Sequence, residues 1–236
     1  MRLKFVGTGT CVDTGRAQSC IMLESEEARI VVDLGVGAFS KLETLDIDAV
    51  LITHNHLDHN GDLLALLKAR WLMGYDVIEI YGPLGTKAYL ESLLEAYPYL
   101  RRKLKFVVSE EDEFEVKDMR VKSVPTRHSI VSRAYMIETE GRRVVISGDT
   151  APMKELMEIE CDLLVHEMSL PEGISDYHTT PESFAEVLPF CKAKRICLTH
   201  MYPQTREIVR EIVDRLREIR DDIEYIVAED SMVVEI

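Results

Sequence analysis

The sequence predicts an α/β protein with four layers, an αββα sandwich in which two β-sheets face each other and helices cover the outer surfaces. Short runs rich in branched apolar residues dominate the first third, which indicates closely spaced strands. Strand-like and helix-like runs alternate in the last third. No Gly/Ser-rich linker, repeat or low-complexity tract interrupts the 236 residues. Two strand-rich halves with helices between them favour sheet packed on sheet, so we expect one domain over residues 1–236.

The first part of the chain is expected to contain most of the strands. Two helices are predicted among them, at residues 62–72 and 89–96, and Gly82-Pro83 predicts a turn between these helices. The predicted strands are residues 3–6, 19–23, 29–32, 49–52, 77–81, 105–108, 113–124 and 134–138.

The second part alternates between strands and helices. Gly141 predicts a hairpin turn before a strand at residues 143–146. Thr180 followed by Pro181 indicates a helix start, because a hydroxyl caps the first N–H groups and proline suits the first helical position. The helix predicted over residues 205–219 carries apolar residues on one face and charges on the other. Strands 163–165, 196–198, 223–227 and 232–234 alternate with helices 153–159, 181–191 and 205–219.

The charge balance is acidic, with 28 Lys and Arg against 42 Asp and Glu and a net charge of −14. This weakens a general nucleic-acid-binding function, because phosphate contacts need clustered cations. Five scattered cysteines without a Cys-x-x-Cys pair argue against a disulfide framework and for a reducing compartment. The N-terminus does not resemble a signal peptide and no run could span a bilayer, so we expect a soluble, cytoplasmic protein without membrane contact.

The most informative segment is residues 54–59, His-Asn-His-Leu-Asp-His, which follows an apolar run. Three imidazoles and one carboxylate leave a predicted strand together, where they cannot contribute to core packing. Such groups are suited to Zn²⁺, with Mn or Fe as alternatives. His54 and His56, two apart in an extended turn, can chelate one ion, whereas Asp58 and His59 are offset and would reach a second.

Four further residues follow apolar strands in the same way, and loops at strand ends are where a rigid sheet positions functional groups. They are Asp33, His128, Asp149 and His200. His128 would complete the first metal site and His200 the second, and Asp149 would bridge both ions because one carboxylate can bond two cations. Two neighbouring ions would hold a hydroxide between them at neutral pH. Asp33 would accept a hydrogen bond from a ligand imidazole.

These residues carry a family resemblance. Residues 53–62, Thr-His-Asn-His-Leu-Asp-His-Asn-Gly-Asp, resemble the signature of the metallo-β-lactamase superfamily of binuclear hydrolases. The resemblance spans nearly the whole chain, since Asp33, His128, Asp149 and His200 occur in the expected order. It implies the αββα metallo-β-lactamase fold, with two divalent metal ions at one edge of the two sheets.

Several segments are similar to the RNase Z branch of this superfamily, namely residues 125–130, 147–152, 164–169, 178–180 and 198–203. In that branch the metal ions serve phosphodiester hydrolysis, and the resemblance places His178 near the leaving group with Glu167 supporting it. The chemistry agrees, because a protonated imidazole can supply the proton that a departing alkoxide needs, and a carboxylate favours the charged imidazole. His178 is therefore the predicted general acid, and capping of the following helix is its structural alternative. Asp58 is also expected to accept a hydrogen bond from the nucleophilic water.

Two features differ from RNase Z itself. Only a short hairpin separates His128 from the strand at residues 143–146, where that enzyme carries a long basic arm that grips transfer RNA. The loop at residues 12–19 also lacks the basic Pro-x-Lys-x-Arg-Asn pattern of the branch. The prediction is an RNase Z-like phosphodiesterase without the tRNA-binding arm, acting on a small phosphodiester or on RNA. The resemblance also implies a homodimer.

Three alternatives remain open: a thioester, lactone or β-lactam hydrolase with the same centre, a tRNA 3′-processing endonuclease, and a non-catalytic metal-binding module. The first is disfavoured because those branches place glycine before the third-motif histidine, where this chain has Arg127. The last is disfavoured because the ligand set is intact. Cys11 and Cys20 are predicted to be small apolar fillers, since their separation offers no chelating geometry.

Overall fold

The computed structural model describes all residues from Met1 to Ile236 and contains two seven-stranded sheets. The first sheet is built mainly by the N-terminal half of the chain. Its strands are β1 (Arg2–Gly7), β2 (Cys20–Glu24), β3 (Arg29–Val32), β4 (Ala49–Leu51), β5 (Ile78–Tyr81), β6 (Phe106–Ser109) and β14 (Val233–Glu235). They lie in the order β14-β1-β2-β3-β4-β5-β6, and β3 to β6 run parallel. The last strand of the chain therefore pairs with the first and closes one side of this sheet.

The second sheet is built by the C-terminal half. Its strands are β7 (Glu113–Val116), β8 (Met119–Pro125), β9 (Arg133–Thr139), β10 (Arg142–Ile146), β11 (Leu163–Glu167), β12 (Arg195–Thr199) and β13 (Glu224–Val227). The strand order is β13-β12-β11-β10-β9-β8-β7, in which β10 to β13 run parallel and β7 to β10 form three consecutive antiparallel pairs. Each sheet thus has a parallel half, and the carboxyl ends of those parallel strands are where functional loops are expected.

The helices connect and cover the strands. They are α1 (Leu57–Asn60), α2 (Leu63–Leu72), α3 (Thr86–Glu95), α4 (Pro98–Arg101), α5 (Lys154–Met157), α6 (Pro181–Val187), α7 (Pro203–Glu207) and α8 (Val209–Ile219). None of these helices has the length and apolar character required of a transmembrane segment.

Alternation along the strands produces the four layers. In β10, Val144 and Ile146 pack in the core between the sheets, while Val145 packs beneath the helices on the outer face. In β3, Ile30 and Val32 face inward and Val31 faces outward in the same way. Successive strand side chains point to opposite faces, so strands that are apolar on both faces must be covered on both sides. The αββα sandwich predicted from the sequence is confirmed.

One predicted strand, residues 113–124, is in fact a hairpin of β7 and β8. Val116 pairs with Met119, so Lys117 and Asp118 form a two-residue turn, with Lys117 in the left-handed region at φ 52°. The sequence hides this turn because it lacks the Asn-Gly or Asp-Gly pair that normally announces one. The Asp118 carboxylate accepts hydrogen bonds from the hydroxyls of Ser25 (2.7 Å) and Thr139 (3.0 Å), which stabilises the turn from outside.

Three predicted helices differ from the structure: the helix at residues 153–159 is reduced to α5, and two others are interrupted. The helix at residues 181–191 ends at Val187 and continues as a 3₁₀ turn, Leu188–Phe190, because Pro189 cannot donate an intrahelical hydrogen bond. The helix at residues 205–219 is split into α7 and α8 at Ile208, whose φ and ψ are −107° and 8°. The predicted start at Thr180 is confirmed, since its hydroxyl accepts the Ser183 N–H at 3.2 Å.

Candidate metal centre

The predicted site residues meet at the edge of the sandwich where the parallel strands of both sheets end. Asp33 follows β3, the 54–59 motif follows β4, Asp149 follows β10, and His200 follows β12. Asp33 and His200 adopt the left-handed conformation, at φ 59° and 52°, which turns the chain sharply as each strand ends. Such conformations are uncommon for residues other than glycine, and they cluster at functional sites.

Asp33 organises the loop that carries the motif. Its carboxylate accepts hydrogen bonds from the Thr53 N–H and hydroxyl, both at 2.8 Å, and from His59 Nδ1 at 2.7 Å. Because His59 Nδ1 is engaged by Asp33, Nε2 is the ring nitrogen that faces the site. Asp33 therefore behaves as the sequence predicts, as an acceptor from a candidate ligand.

Three imidazole nitrogens converge in a first group. His56 Nδ1 lies 3.1 Å from His54 Nε2 and 3.2 Å from His128 Nε2. The other ring nitrogen of His128 lies 3.0 Å from the Tyr177 carbonyl, to which it donates, so Nε2 of His128 presents a lone pair. Three imidazoles that point nitrogens at one another form a set of donors that suits a cation.

A second group forms around Asp149. His59 Nε2 lies 3.2 Å and His200 Nε2 lies 3.3 Å from Asp149 Oδ1, and His200 Nε2 also lies 3.7 Å from Asp58 Oδ2. The other oxygen of Asp149, Oδ2, faces the first group, 3.9 Å from His54 Nε2. The two oxygens of one buried carboxylate thus face two different groups of nitrogen donors.

The electrostatics of the site favour cation binding. Burial, with a smaller effect of His59, lowers the pKa of His54 well below its ordinary value, so this ring is neutral and offers a lone pair. Burial would raise the pKa of Asp149, but His200 and His59 lower it well below its usual range, so it is ionised. His59 Nε2 and Asp149 Oδ1 are buried and have no hydrogen-bond partner in the protein. Buried polar atoms are normally satisfied, so these two atoms are suited to bind a cation, and the donor set fits divalent metal ions.

Glu167 and His178 form a pair beside these groups. His178 Nδ1 lies 3.0 Å from Glu167 Oε1 and 3.9 Å from Asp149 Oδ2. The Glu167 side chain is buried and accepts the N–H groups of Thr150 (2.9 Å), Ser169 (2.9 Å) and Thr179 (3.2 Å). Burial would lower the pKa of His178, but the hydrogen bond and charge of Glu167 raise it above its ordinary value. The pair therefore favours a protonated imidazole next to the metal-binding groups.

The structure brings all ten predicted site residues together at this edge, and their assignment as ligands, supporting groups and catalysts stays a prediction. Two supporting groups were not predicted: the Thr53 hydroxyl, which binds Asp33, and the Tyr177 carbonyl, which orients His128. Neither has a local signal in the sequence, because both act through partners far along the chain.

The prediction for the cysteines is wrong in one case. Cys20 is buried, but Cys11 is exposed. Cys11 lies in a turn in which the Asp13 N–H donates to the Thr10 carbonyl at 3.1 Å, and this turn projects from the end of β1.

Comparison with known proteins agrees with this geometry. Residues 28–201 match the family model described as the beta-lactamase superfamily domain. The chain belongs to the metallo-β-lactamase superfamily. It is 25% identical to a protein named Ribonuclease Z from Nitrosopumilus maritimus, over the full length of both chains. Its fold matches the Bacillus subtilis metallo-β-lactamase fold protein YhfI, with a TM-score of 0.81, 19% identity and coverage of 99% and 98% of the two chains. It also matches human tRNase Z, short form, with a TM-score of 0.78, 27% identity and coverage of 100% and 99%.

Family membership and the clustered His and Asp side chains make the chain a metal-dependent hydrolase with an RNase Z-like fold. Its loops nevertheless differ from the arm-bearing form described above. Between β8 and β9 there are seven residues, 126–132, and β9 and β10 are joined by the two-residue turn Glu140-Gly141. The alignment with the Nitrosopumilus maritimus protein runs over 305 positions, so that relative contains segments that this 236-residue chain lacks.

Proposed function

We propose that the chain is a phosphodiesterase that uses two divalent metal ions, with Zn²⁺ as the favoured ion and Mn or Fe as alternatives. The observation that carries this proposal is the orientation of Asp149, whose two oxygens face separate donor groups at 3.2 Å and 3.9 Å. A carboxylate placed in this way can hold two cations close together and offset their mutual repulsion. Zinc is favoured because imidazole and carboxylate are its usual protein ligands.

The ligands divide into two sets. His54, His56 and His128 would hold the first ion, and Asp58, His59 and His200 the second. Asp149 would bind both. When bound, a pair of divalent ions supplies an activated water at neutral pH and neutralises charge on the phosphoryl group.

The protein groups around these ligands have separate tasks. Asp58, a buried carboxylate 3.7 Å from His200 Nε2, would also accept a hydrogen bond from the attacking water and so orient it. His178, protonated through its contact with Glu167, would donate its Nε2 proton to the departing oxygen. Glu167 holds the imidazole in place because its own carboxylate is fixed by three backbone N–H groups.

The substrate is a phosphodiester, and the short loops favour a small one. Relatives named Ribonuclease Z keep RNA among the candidate substrates. However, the seven-residue loop 126–132 and the turn Glu140-Gly141 provide no arm that could grip a folded RNA. The net charge of −14 also disfavours a long polyanion.

The decisive experiment is a metal analysis of the purified protein combined with parallel hydrolysis assays. Bis(p-nitrophenyl) phosphate, a thioester, a β-lactam and a precursor tRNA would be compared at equal enzyme concentration. We expect about two metal ions per chain and the highest kcat/KM for the phosphodiester. Faster thioester or β-lactam turnover would reject the phosphodiesterase assignment, and efficient 3′ cleavage of the tRNA would reject the preference for small substrates.

The role of His178 has its own test. His178→Ala should lower the rate by about a hundredfold or more for a diester with a poor alkoxide leaving group, because general acid catalysis contributes about 10²- to 10⁴-fold. The loss should be much smaller for p-nitrophenolate, which departs without a proton. His166→Ala is the comparison variant, since His166 is buried under Phe184 and faces away from the site. An equal loss for both leaving groups in His178→Ala would exclude an acid role.

A further inference from the structure

We propose that the loops beside His178 form a subsite for a flat, apolar leaving group, with Tyr177 as its main contact. This inference rests on the proposed phosphodiesterase function and specifies its substrate. The substrate would be a singly charged phosphodiester whose departing alcohol carries an aromatic ring, such as a nucleoside.

Two loops form one wall of the metal-centre edge. The first, residues 126–132, joins β8 to β9, and the second, residues 168–180, joins β11 to α6. His128 of the first loop donates to the Tyr177 carbonyl of the second at 3.0 Å. Thr150 binds both loops: its hydroxyl accepts the Arg127 N–H at 3.2 Å, and its carbonyl accepts the Thr179 hydroxyl at 2.8 Å. The two loops are therefore one connected surface that begins at the candidate metal ligands.

Hydrogen bonds between its own hydroxyl and backbone groups hold the second loop in place. The Ser175 hydroxyl accepts the N–H groups of Tyr177 (3.2 Å) and His178 (3.1 Å), and the Thr180 hydroxyl donates to the Gly173 carbonyl at 3.0 Å. These bonds fix the loop without using its apolar side chains. Those side chains are consequently free to contact a ligand.

The wall exposes apolar groups where a soluble protein normally has polar ones. Ile130 and Val131 of the first loop are 39% and 60% exposed, and Ile174 and Tyr177 of the second are 96% and 49% exposed. Several exposed apolar side chains on two loops that begin at the candidate metal ligands indicate a binding surface. The segment 172–178 contains two carboxylates and no Lys or Arg, so it would repel a polyanion and accept an uncharged group.

The position of His178 defines which part of the substrate meets this wall. Its Nδ1 atom is engaged by Glu167, so Nε2 is the atom available to the departing oxygen. The departing alcohol must then lie on the His178 side of the site, next to Tyr177 in the chain. The half-exposed phenol ring of Tyr177 offers a face on which an aromatic group can stack, and stacking of this kind is sequence-tolerant and favourable.

The test uses methyl 4-nitrophenyl phosphate, in which the one aromatic group is also the leaving group. The metal-loaded parent would be compared with Tyr177→Ala and Tyr177→Phe. The control is Tyr99→Ala, an exposed tyrosine on α4, which packs against α3 and not against the site. Tyr177→Ala should lower kcat/KM about tenfold, mainly through KM, because one stacking contact is lost. Tyr177→Phe and Tyr99→Ala should have kcat/KM values within about twofold of the parent. The first keeps an aromatic ring at position 177, and the second leaves Tyr177 unchanged.

A second substrate separates stacking from a disturbed loop. Bis(2,2,2-trifluoroethyl) phosphate, followed by fluorine NMR, has an aliphatic leaving group, so Tyr177→Ala should leave its kcat/KM nearly unchanged. Ile174→Ala, which removes a fully exposed side chain, should lower kcat/KM for the aromatic ester alone. An equal loss for both esters, or no loss in Tyr177→Ala, overturns the subsite while leaving the phosphodiesterase function intact. If the parent hydrolyses neither ester, both the proposed function and the subsite are overturned.

Discussion

The two edges of the sandwich differ in how their charged side chains are paired. At the edge where β11 and β12 begin, the Asp162 carboxylate accepts the Arg143 N–H at 2.9 Å and pairs with Lys194 Nζ at 2.7 Å. At the edge where those strands end, His59 Nε2 and Asp149 Oδ1 are buried without hydrogen-bond partners. Carboxylates therefore pair with Lys and Arg at one edge and lie among imidazoles suited to a metal ion at the other.

The difference shows how binding groups can be separated from structural ones. The partners of Asp162 are largely exposed, with side-chain accessibilities of 51% for Arg142 and 68% for Lys194, so water screens these pairs and each contributes little. At the metal edge, His54, His59, Asp149 and His200 are buried, and charge in such a place is costly unless a cation offsets it. A buried cluster of imidazoles and carboxylates, rather than charge alone, distinguishes the metal edge.

The largest effect is expected from Asp149→Asn. An amide cannot hold two cations as a carboxylate does, so the bound metal should fall from about two ions to one or fewer and kcat/KM should fall at least about a thousandfold. Metal analysis measures the bound metal per chain, and bis(p-nitrophenyl) phosphate hydrolysis measures kcat/KM. Asp162→Asn is the matched control at the opposite edge and should retain the metal content and kcat/KM of the parent. Parent-like activity in Asp149→Asn would show that Asp149 does not bridge.

Removal of the metal should have the next largest effect, on stability. A ligand present at about a thousand times its Kd stabilises the native state by about 4 kcal/mol, provided that it does not bind the unfolded chain. Urea unfolding of the metal-free and metal-loaded protein should show a difference of this order. Asp149→Asn should lose most of this difference, whereas Asp162→Asn should keep it. Identical unfolding curves with and without metal would contradict the interpretation of the unmatched atoms.

The smallest effect is expected from Asp162→Asn on stability itself. The substitution should cost about 1 kcal/mol at pH 7, because it removes one charged hydrogen-bond acceptor and two ion pairs that water screens. Burial would raise the pKa of Asp162, but Lys194 and the Arg143 N–H lower it below its ordinary value. The stabilisation is therefore present above the unfolded pKa of about 3.9 and is lost as the pH falls through the lower native value. The difference in urea midpoint between parent and variant should shrink below about pH 4. A difference that grows as the pH falls would contradict a stabilising contribution from the ionised Asp162 carboxylate.

Elements with continuous apolar patterns could be predicted from the sequence, and those that depend on distant partners could not. Strand 29–32 matches β3 residue for residue. The turn at Lys117 was missed because a lysine in the left-handed conformation has no local signal, and its partner Asp118 is held by Ser25 and Thr139. The break at Ile208 was missed because the apolar pattern continues through it.

In the candidate site, too, residues with a local pattern could be predicted and groups that depend on distant partners could not. The spacing of His54, His56, Asp58 and His59 is local, so it could be read directly. His128, Asp149 and His200 were found from their positions after strands and from the resemblance to a known family. Tyr177 had no such pattern, and its carbonyl became visible as a partner of His128 when two loops 49 residues apart met.

The amino-acid order by itself determined the four layers, the strand ends and the kinds of donor that leave them, because these follow from periodicity and residue chemistry. The tertiary structure decided which atoms of those donors face each other. An imidazole has two nitrogens, and the one that faces the centre is selected by the partner of the other, Asp33 for His59 and the Tyr177 carbonyl for His128. Those partners come from distant segments, so only the folded chain could make the selection.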